Sequence, residues 1–437
     1  MFNLLNPYWK INLMDILIKN TLIITQNPNR DLFRGDIHIS KGNIVEVAKS
    51  INEPVDEIFD ATGMIVLPGF CNMHTHVAMT LFRGLGEDLP LHQWLSQKIW
   101  PMEAKQTSED VYVAAKLAFA EMIQSGTTCF NDMCLMGAKD IARATGDLGI
   151  RGHVCQGLFD KFPGRDTKSE MGAMAENVYS PSSLVSFGVG PHAVYTCSEE
   201  LLIKAKTFAK KKKLKYHFHA SETRKEVFEV LDSKKLYPYE YFDSLGIIDS
   251  DSIFAHGSWV TKREISIAGK KNLNVVTCPV SNLKLATGGI CPISEYHAAG
   301  ANVCIGTDSV ASNNSLNMFE SMKFSSLLQK HRYWKADILK TQTILDFATI
   351  NGAKALGLNS GSIEPGKLAD LSIIRPLANM VPSNDPVSNL VFAAGPQNVD
   401  SVIVNGRFLM KAKELLTIDH SELLSDAEAQ IKEMKKR

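Results

Sequence analysis

Met64-Ile65-Val66-Leu67-Pro68-Gly69-Phe70-Cys71-Asn72-Met73-His74-Thr75-His76 runs from an apolar β-branched segment, through Pro-Gly, into two histidines one residue apart. On extended backbone the side chains of residues i and i+2 point the same way, so His74 and His76 can present two imidazoles to one metal ion. Imidazole suits zinc and iron, and a catalytic site needs only a few protein ligands, with one position left for water. Further polar groups close later apolar runs. His192 ends Val185 to Pro191, His219 and Glu222 follow Lys215 to Phe218, His256 follows Ile253 to Ala255, and Asp308 follows Asn302 to Thr307. Polar residues at the same end of successive strands, drawn from distant parts of the chain, describe the C-terminal rim of a (β/α)8 barrel.

At 437 residues the chain is longer than a bare barrel of about 250 residues, so an appended unit is expected. Formal net charge is zero. Without a basic excess or aromatic-interleaved motifs, nucleic acid is not an expected partner. The eight cysteines have no repeating spacing and no Cys-x-x-Cys pair. They read as reduced thiols, and the pattern excludes zinc ribbons and the Pro-Cys-x-x-Cys site of base-flipping deaminases. No secretory signal and no run of about 18 apolar residues is present, so a soluble cytoplasmic protein without a membrane partner is expected. Met14 directly precedes the first convincing strand, which makes residues 1–13 a candidate N-terminal extension.

From Asp15 to about Ile65 short strands alternate with turns, as in small antiparallel β structure. Alternating strands and amphipathic helices follow, with candidate barrel strands at 65–70, 127–131, 151–157, 185–190, 216–219, 253–256, 274–277 and 302–306. Ser108 is the expected N-cap of a helix over Val111 to Ile123, and Thr343 to Ala355 reads as the last barrel helix. Beyond Gly361 the pattern returns to β, with an Asn405-Gly406 hairpin signal. The expected architecture is α/β: a (β/α)8 TIM-type barrel over 67–361 with a small β-sandwich domain built from both chain ends, 14–66 plus 362–418. Residues 419–437 read as a charged amphipathic helix and are expected to form a solvated surface element.

Longer blocks narrow the reading. Met79 to Pro90, Trp94-Leu95, Ile99-Trp100-Pro101-Met102-Glu103, Gly190-Pro191-His192, Cys278 to Leu285 and Gly306 to Asn314, together with His74-Thr75-His76, resemble the 5-methylthioadenosine/S-adenosylhomocysteine deaminases of the amidohydrolase superfamily. The likeness runs from about Met14 to about Asp419. It implies one divalent metal ion per subunit, zinc by expectation, held by His74, His76, His219 and Asp308. It further implies substrate contacts from Glu103, Arg165, His192, Glu222 and Asp308, with the acceptor-only carboxylate of Glu103 on the ribose hydroxyls. Some members carry a second arginine where this chain has Gln156, which leaves the preferred 5′ substituent open.

The implied activity is hydrolytic deamination of 5′-modified adenosines to inosine derivatives and ammonia. Glu222 is the expected general acid toward the ring nitrogen, Asp308 the base that passes a proton to the departing amine, and His256 a hydrogen-bonding partner of the nucleophile. A guanine- or cytosine-type deaminase, or a triazine hydrolase, is the alternative within the superfamily. A non-catalytic metal-binding protein is the alternative outside it. The resemblance implies a small nucleoside substrate, and a homo-oligomer is expected. His217 is expected to face away from His219 and to be structural, as are His38, His92, His153, His297, His331 and His420. Trp94 and Trp100 fit either the core or the wall of an adenine pocket.

Overall fold

The computed structural model describes residues 14–162, 164–176 and 183–437, so the candidate extension at 1–13 lies outside the described residues. Eight parallel strands follow one another in chain order around a barrel. They are Phe70–Thr75, Thr127–Cys134, Arg151–Leu158, Val185–Pro191, Lys215–Ala220, Ser252–His256, Asn274–Thr277 and Asn302–Ile305. Side chains and a single backbone bond, rather than a ladder, join the last strand to the first. Thr307 N–H donates to Asn72 Oδ1 at 3.0 Å, the Asn72 amide donates to Thr307 Oγ1 at 2.7 Å, and Asp308 N–H donates to the His74 carbonyl at 2.8 Å. The seam that closes the barrel therefore also sets His74 beside Asp308.

The first barrel strand differs from expectation. The apolar run splits at Gly69: Ile65–Pro68 pairs with Ile16–Ile24 and Leu371–Ile374 in a second sheet, and only Phe70–Thr75 enters the barrel. A Cβ on Gly69 would lie 2.1 Å from the Thr128 side chain, so the crossing between the two sheets admits no larger residue. One uninterrupted apolar run thus feeds two cores, which hydrophobicity alone does not reveal.

The second sheet has nine strands from both ends of the chain. It is mixed rather than purely antiparallel, since Ile16–Ile24 runs parallel to Glu57–Asp60 and to Ile65–Pro68. Ile16, Ile18, Ile37, Ile39, Val66 and Ile373 are part of its buried core. Asn405 and Gly406, at φ 51° and 71°, turn the hairpin between Val399–Val404 and Arg407–Lys411 as that dipeptide predicts. Arg151, at the start of the third barrel strand, forks onto Asp370 at 2.7 and 3.0 Å and ties the sheet to the barrel.

Three helix expectations shift. The N-cap of Ser108–Gln124 is Thr107, whose hydroxyl accepts from Asp110 N–H while the Asp110 carboxylate accepts from Thr107 N–H at 2.7 Å. The last barrel helix is broken into Thr341–Ala348 and Ile350–Leu356 at Thr349. The C-terminal helix His420–Lys436 is not merely solvated. Leu423, Ala427 and Met434 are buried; Ala427 and Met434 pack into a cluster with Leu81, Phe82 and Trp94, and Arg437 pairs with buried Asp110 at 2.7 Å. All eight cysteines are free and buried. Among the described residues no helix is long and apolar enough to cross a membrane.

Candidate active site

The geometry at the C-terminal rim follows from which nitrogen of each histidine carries its proton. His76 Nδ1 lies 2.7 Å from the Met133 carbonyl and His219 Nδ1 lies 2.7 Å from the His192 carbonyl, so both Nδ1 atoms are N–H donors. Their Nε2 atoms, 3.3 Å apart, face each other with lone pairs and no proton between them. His74 is fixed by a relay. His217 Nδ1 donates to the Ile253 carbonyl at 3.0 Å, which leaves His217 Nε2 to accept from His74 Nδ1 at 2.8 Å. His74 Nε2 is buried, has no hydrogen-bonding partner in the protein, and lies 3.4 Å from Asp308 Oδ1. His76 Nε2 is 3.4 Å from the same oxygen.

Converging lone pairs repel one another unless a cation sits among them. Metal–nitrogen bonds of 2.0–2.1 Å in a tetrahedral shell set neighbouring ligand atoms about 3.3 to 3.4 Å apart, and the observed separations of 3.3 and 3.4 Å match. His74, His76 and His219 could therefore hold a divalent ion, with Asp308 Oδ1 beside two of them, and His74, His256 and Asp308 form a second, overlapping group that could do so. Burial pushes His76 down to about 4, so it stays neutral and able to ligate. Burial would raise the Asp308 carboxyl, but the surrounding imidazoles, His74 first, hold it well below the usual carboxylate range.

His256 plays a different part. The Asn282 amide donates to His256 Nδ1 at 3.2 Å, which puts the proton on Nε2. That atom is 3.8 Å from Glu222 Oε2, so in this tautomer His256 presents an N–H to the site. Burial pushes His256 down to about 3, and it is neutral. Burial, together with the nearby Asp308 and Glu226 charges, raises Glu222 well above the ordinary carboxyl value and favours its protonated form. Ser281 donates to Asp308 Oδ2 at 2.6 Å and Ser309 N–H donates to Oδ1 at 2.8 Å. Ser221, His256 and Asp308 have φ of 53°, 74° and 66°, left-handed backbone at three rim positions. Each costs an L-residue on the order of 1–3 kcal/mol, and such strain clusters at functional sites.

The structure brings the expected residues together. His76, His192, His219, Glu222, His256 and Asp308 line one narrow cavity with Trp94 and Trp100. Glu103, Arg165 and His192 line a second, of about 280 Å³, that shares Trp100, Leu135 and His192 with the first. Glu103 is buried, its Oε2 has no hydrogen-bonding partner in the protein, and burial pushes its carboxyl up to about 8. Both tryptophans are thus cavity walls. Between them Leu95–Ile99 forms a π-helical turn, a local widening often found at functional sites.

Several residues escaped the sequence reading, His217, Glu226 and Tyr195 among them. His217 was expected on the far side of its strand, but residues i and i+2 share a face, and its ring meets His74. Glu226 accepts from Ser221 N–H at 2.7 Å and Glu222 N–H at 2.9 Å, clamping the turn that carries Glu222. Its Thr223-x-x-Glu226 spacing reads only as a helix start. Tyr195 lines the narrow cavity with no motif to announce it.

A cluster of candidate ligands, a buried carboxyl with a raised pKa and adjoining cavities at the rim of a (β/α)8 barrel fit a metal-dependent hydrolase. The model of the amidohydrolase family matches residues 65–409, and the chain belongs to that family. Over 418 residues it is 41% identical to the 5′-deoxyadenosine deaminase of Methanosphaera stadtmanae, covering 94% of this chain and 97% of that one. It is 42% identical over 404 residues to the 5-methylthioadenosine/S-adenosylhomocysteine deaminase of Thermococcus kodakarensis, covering 91% and 94%. A solved adenosine deaminase from Xanthomonas campestris with bound zinc superposes with a TM-score of 0.92 at 32% identity, covering 97% of this chain and 99% of that one. An atrazine chlorohydrolase from Arthrobacter aurescens, complexed with zinc, shares the fold at TM-score 0.89 and 22% identity, covering 95% and 100%.

Proposed function

We propose that the chain hydrolytically deaminates 5′-modified adenosines, releasing ammonia, with one zinc ion per subunit held by His74, His76, His219 and Asp308. When bound, the ion supplies Lewis acidity that brings a water's pKa from 15.7 toward about 7. Glu222, protonated and buried, donates to the ring nitrogen beside the attacked carbon. His256 Nε2–H donates a hydrogen bond to the attacking oxygen, its direction fixed by Asn282. Asp308 accepts the water's proton and passes it to the departing amine, while Ser281 and Ser309 N–H hold the carboxylate in place. Trp94, Trp100 and His192 line the cavity that would receive the base.

The observation that carries the nucleoside reading is Glu103. A buried carboxylate with an unpartnered oxygen, in a cavity adjoining the ligand cluster, suits the two hydroxyls of a ribose and has no counterpart on a free base or triazine. Relatives named as adenosine-derivative deaminases at about 40% identity support the same substrate class, whereas the triazine enzyme at 22% shares the fold alone. The test is ammonia release from 5′-methylthioadenosine, S-adenosylhomocysteine, 5′-deoxyadenosine, adenosine, guanine and cytosine by zinc-loaded protein. Turnover confined to the nucleosides is expected, and turnover of a free base instead would refute the reading.

A further inference from the structure

Arg165 is the one cation among the described residues lining the outer cavity, and it is already paired. Its guanidinium stacks 3.8 Å from the Phe159 ring centroid, and its Nη1 donates to Glu170 Oε1 at 3.2 Å and, more loosely, to Oε2 at 3.5 Å. Glu170 is buried on the helix Thr167–Glu176, and its Oε2 also accepts from Phe159 N–H at 3.0 Å. The carboxylate is thus held from two sides. Burial pushes Glu170 up, while Phe159 N–H and Arg165 act in the opposite direction and favour the ionised form that these contacts recognise. Asp160 and Asp166 add negative potential around the pair. The rest of the wall is largely apolar, including Ala104, Leu135, Met136 and Phe162.

We propose that Glu170 is a specificity-determining residue: by holding Arg165 in an internal ion pair, it tunes the outer cavity to 5′ substituents that carry no carboxylate. The proposal rests on the deaminase reading above, with the outer cavity receiving the 5′ side of the nucleoside. A carboxylate on the substrate would have to displace one that is tethered beside Arg165 at high effective concentration. Success would leave the buried Glu170 carboxylate without its cation and with Phe159 N–H alone, a destabilising state. An uncharged thioether or methyl group meets no such competition, because Phe159, Phe162 and Met136 receive it by dispersion and sulfur–aromatic contact. The remaining guanidinium N–H groups stay free to donate to a neutral oxygen.

The experiment compares kcat/KM for ammonia release from 5′-methylthioadenosine with that from a 5′-carboxyalkylthio-adenosine, which adds a carboxylate to the same thioether, using the zinc-loaded full chain. The parent should favour the uncharged substrate by at least about tenfold. Glu170→Gln should raise kcat/KM for the carboxylate substrate by about tenfold or more, through KM, and leave 5′-methylthioadenosine within about threefold. Glu170→Asp should restore the parent's ratio. An unchanged ratio in Glu170→Gln, with activity on 5′-methylthioadenosine intact, overturns the proposal. If Glu170→Gln loses both activities and its melting temperature falls, Arg165→Gln decides. Equal losses on the two substrates support an arginine already neutralised, and a selective loss on the carboxylate substrate overturns it. Failure of the zinc-loaded parent on every nucleoside is a different result: it refutes the deaminase reading itself, and this inference with it.

Discussion

The two cavities are built by opposite means. The inner one collects single side chains from the ends of different barrel strands, and its ligand atoms are fixed from behind: His76 by Met133, His219 by His192, His74 through His217 to Ile253, and Asp308 by Ser281. The outer one is assembled from the short helix Trp100–Glu103, the segment around Phe159 and Phe162, and Arg165, with a mostly apolar wall and few polar contacts. Chemistry that needs ligand atoms within tenths of an ångström sits on strands, where the sheet determines position. On the proposed function, substrate selection would sit on loops, where one substitution changes a wall without moving the reacting groups. If this division holds, damage to the inner cavity should abolish turnover, and damage to the outer should redistribute it among substrates.

The largest effect should come from removing the ion. Chelation should reduce activity to background, and zinc should restore it. Protonated imidazole and carboxylate no longer ligate, so stripping should be faster near pH 6 than near pH 8. Elemental analysis of active protein that finds no transition metal would end the ligand assignment. Next in size is Glu222→Gln, which keeps the shape and removes the transferable proton. Turnover should fall by at least about 10²-fold at unchanged metal content, and near-normal turnover would assign the acid step to another group.

His217 tests whether the fixing from behind matters. His217→Phe retains an aromatic ring but removes the acceptor for His74 Nδ1–H, so metal affinity should drop by about 10- to 100-fold, read by competition with a chelating dye. The same residue marks where sequence reading succeeded and where it stopped. His74-Thr75-His76 is legible because the spacing itself states a shared face, and Lys215 to Glu222 places His219 and Glu222 by position after an apolar strand. By that parity His217 belongs on His219's face; only the fold, which sets that face against His74, shows what it touches. Glu226 and Asn282 act on backbone and ring nitrogens across turns, contacts that no linear spacing encodes. The barrel could be read from its alternating pattern, but not the switch of sheets at Gly69, since both halves of that run are equally apolar. The C-terminal helix reads as solvated because its charged residues outweigh the sparse stripe of Leu423, Ala427 and Met434 that it buries.

The smallest effect, and the one that best separates the two cavities, belongs to Glu103. Its carboxyl is pushed up to about 8 by burial from an ordinary 4.5. In the free enzyme it is therefore protonated at pH 6.5 and ionised at pH 9. A carboxylate accepting from the ribose hydroxyls makes charge-assisted bonds that exceed neutral ones by about 1 to 1.5 kcal/mol. Glu103→Gln should therefore lose about tenfold in kcat/KM at pH 9 and much less at pH 6.5. A 2′,3′-dideoxy substrate should show little loss at either pH, because the partner hydroxyls are absent. The same pKa fixes a stability test. A carboxyl raised in the folded state keeps its proton where the unfolded chain has lost it, so stability falls as pH rises from about 4.5 through about 8. Removing that buried charge with Glu103→Gln should raise the melting temperature at pH 9 relative to the parent, by the equivalent of a few kcal/mol, and leave it unchanged near pH 4. Equal losses on ribose and dideoxy substrates, with the expected gain in stability, would show a buried carboxyl that does not touch the sugar. The outer cavity would then select only through its apolar walls and Arg165.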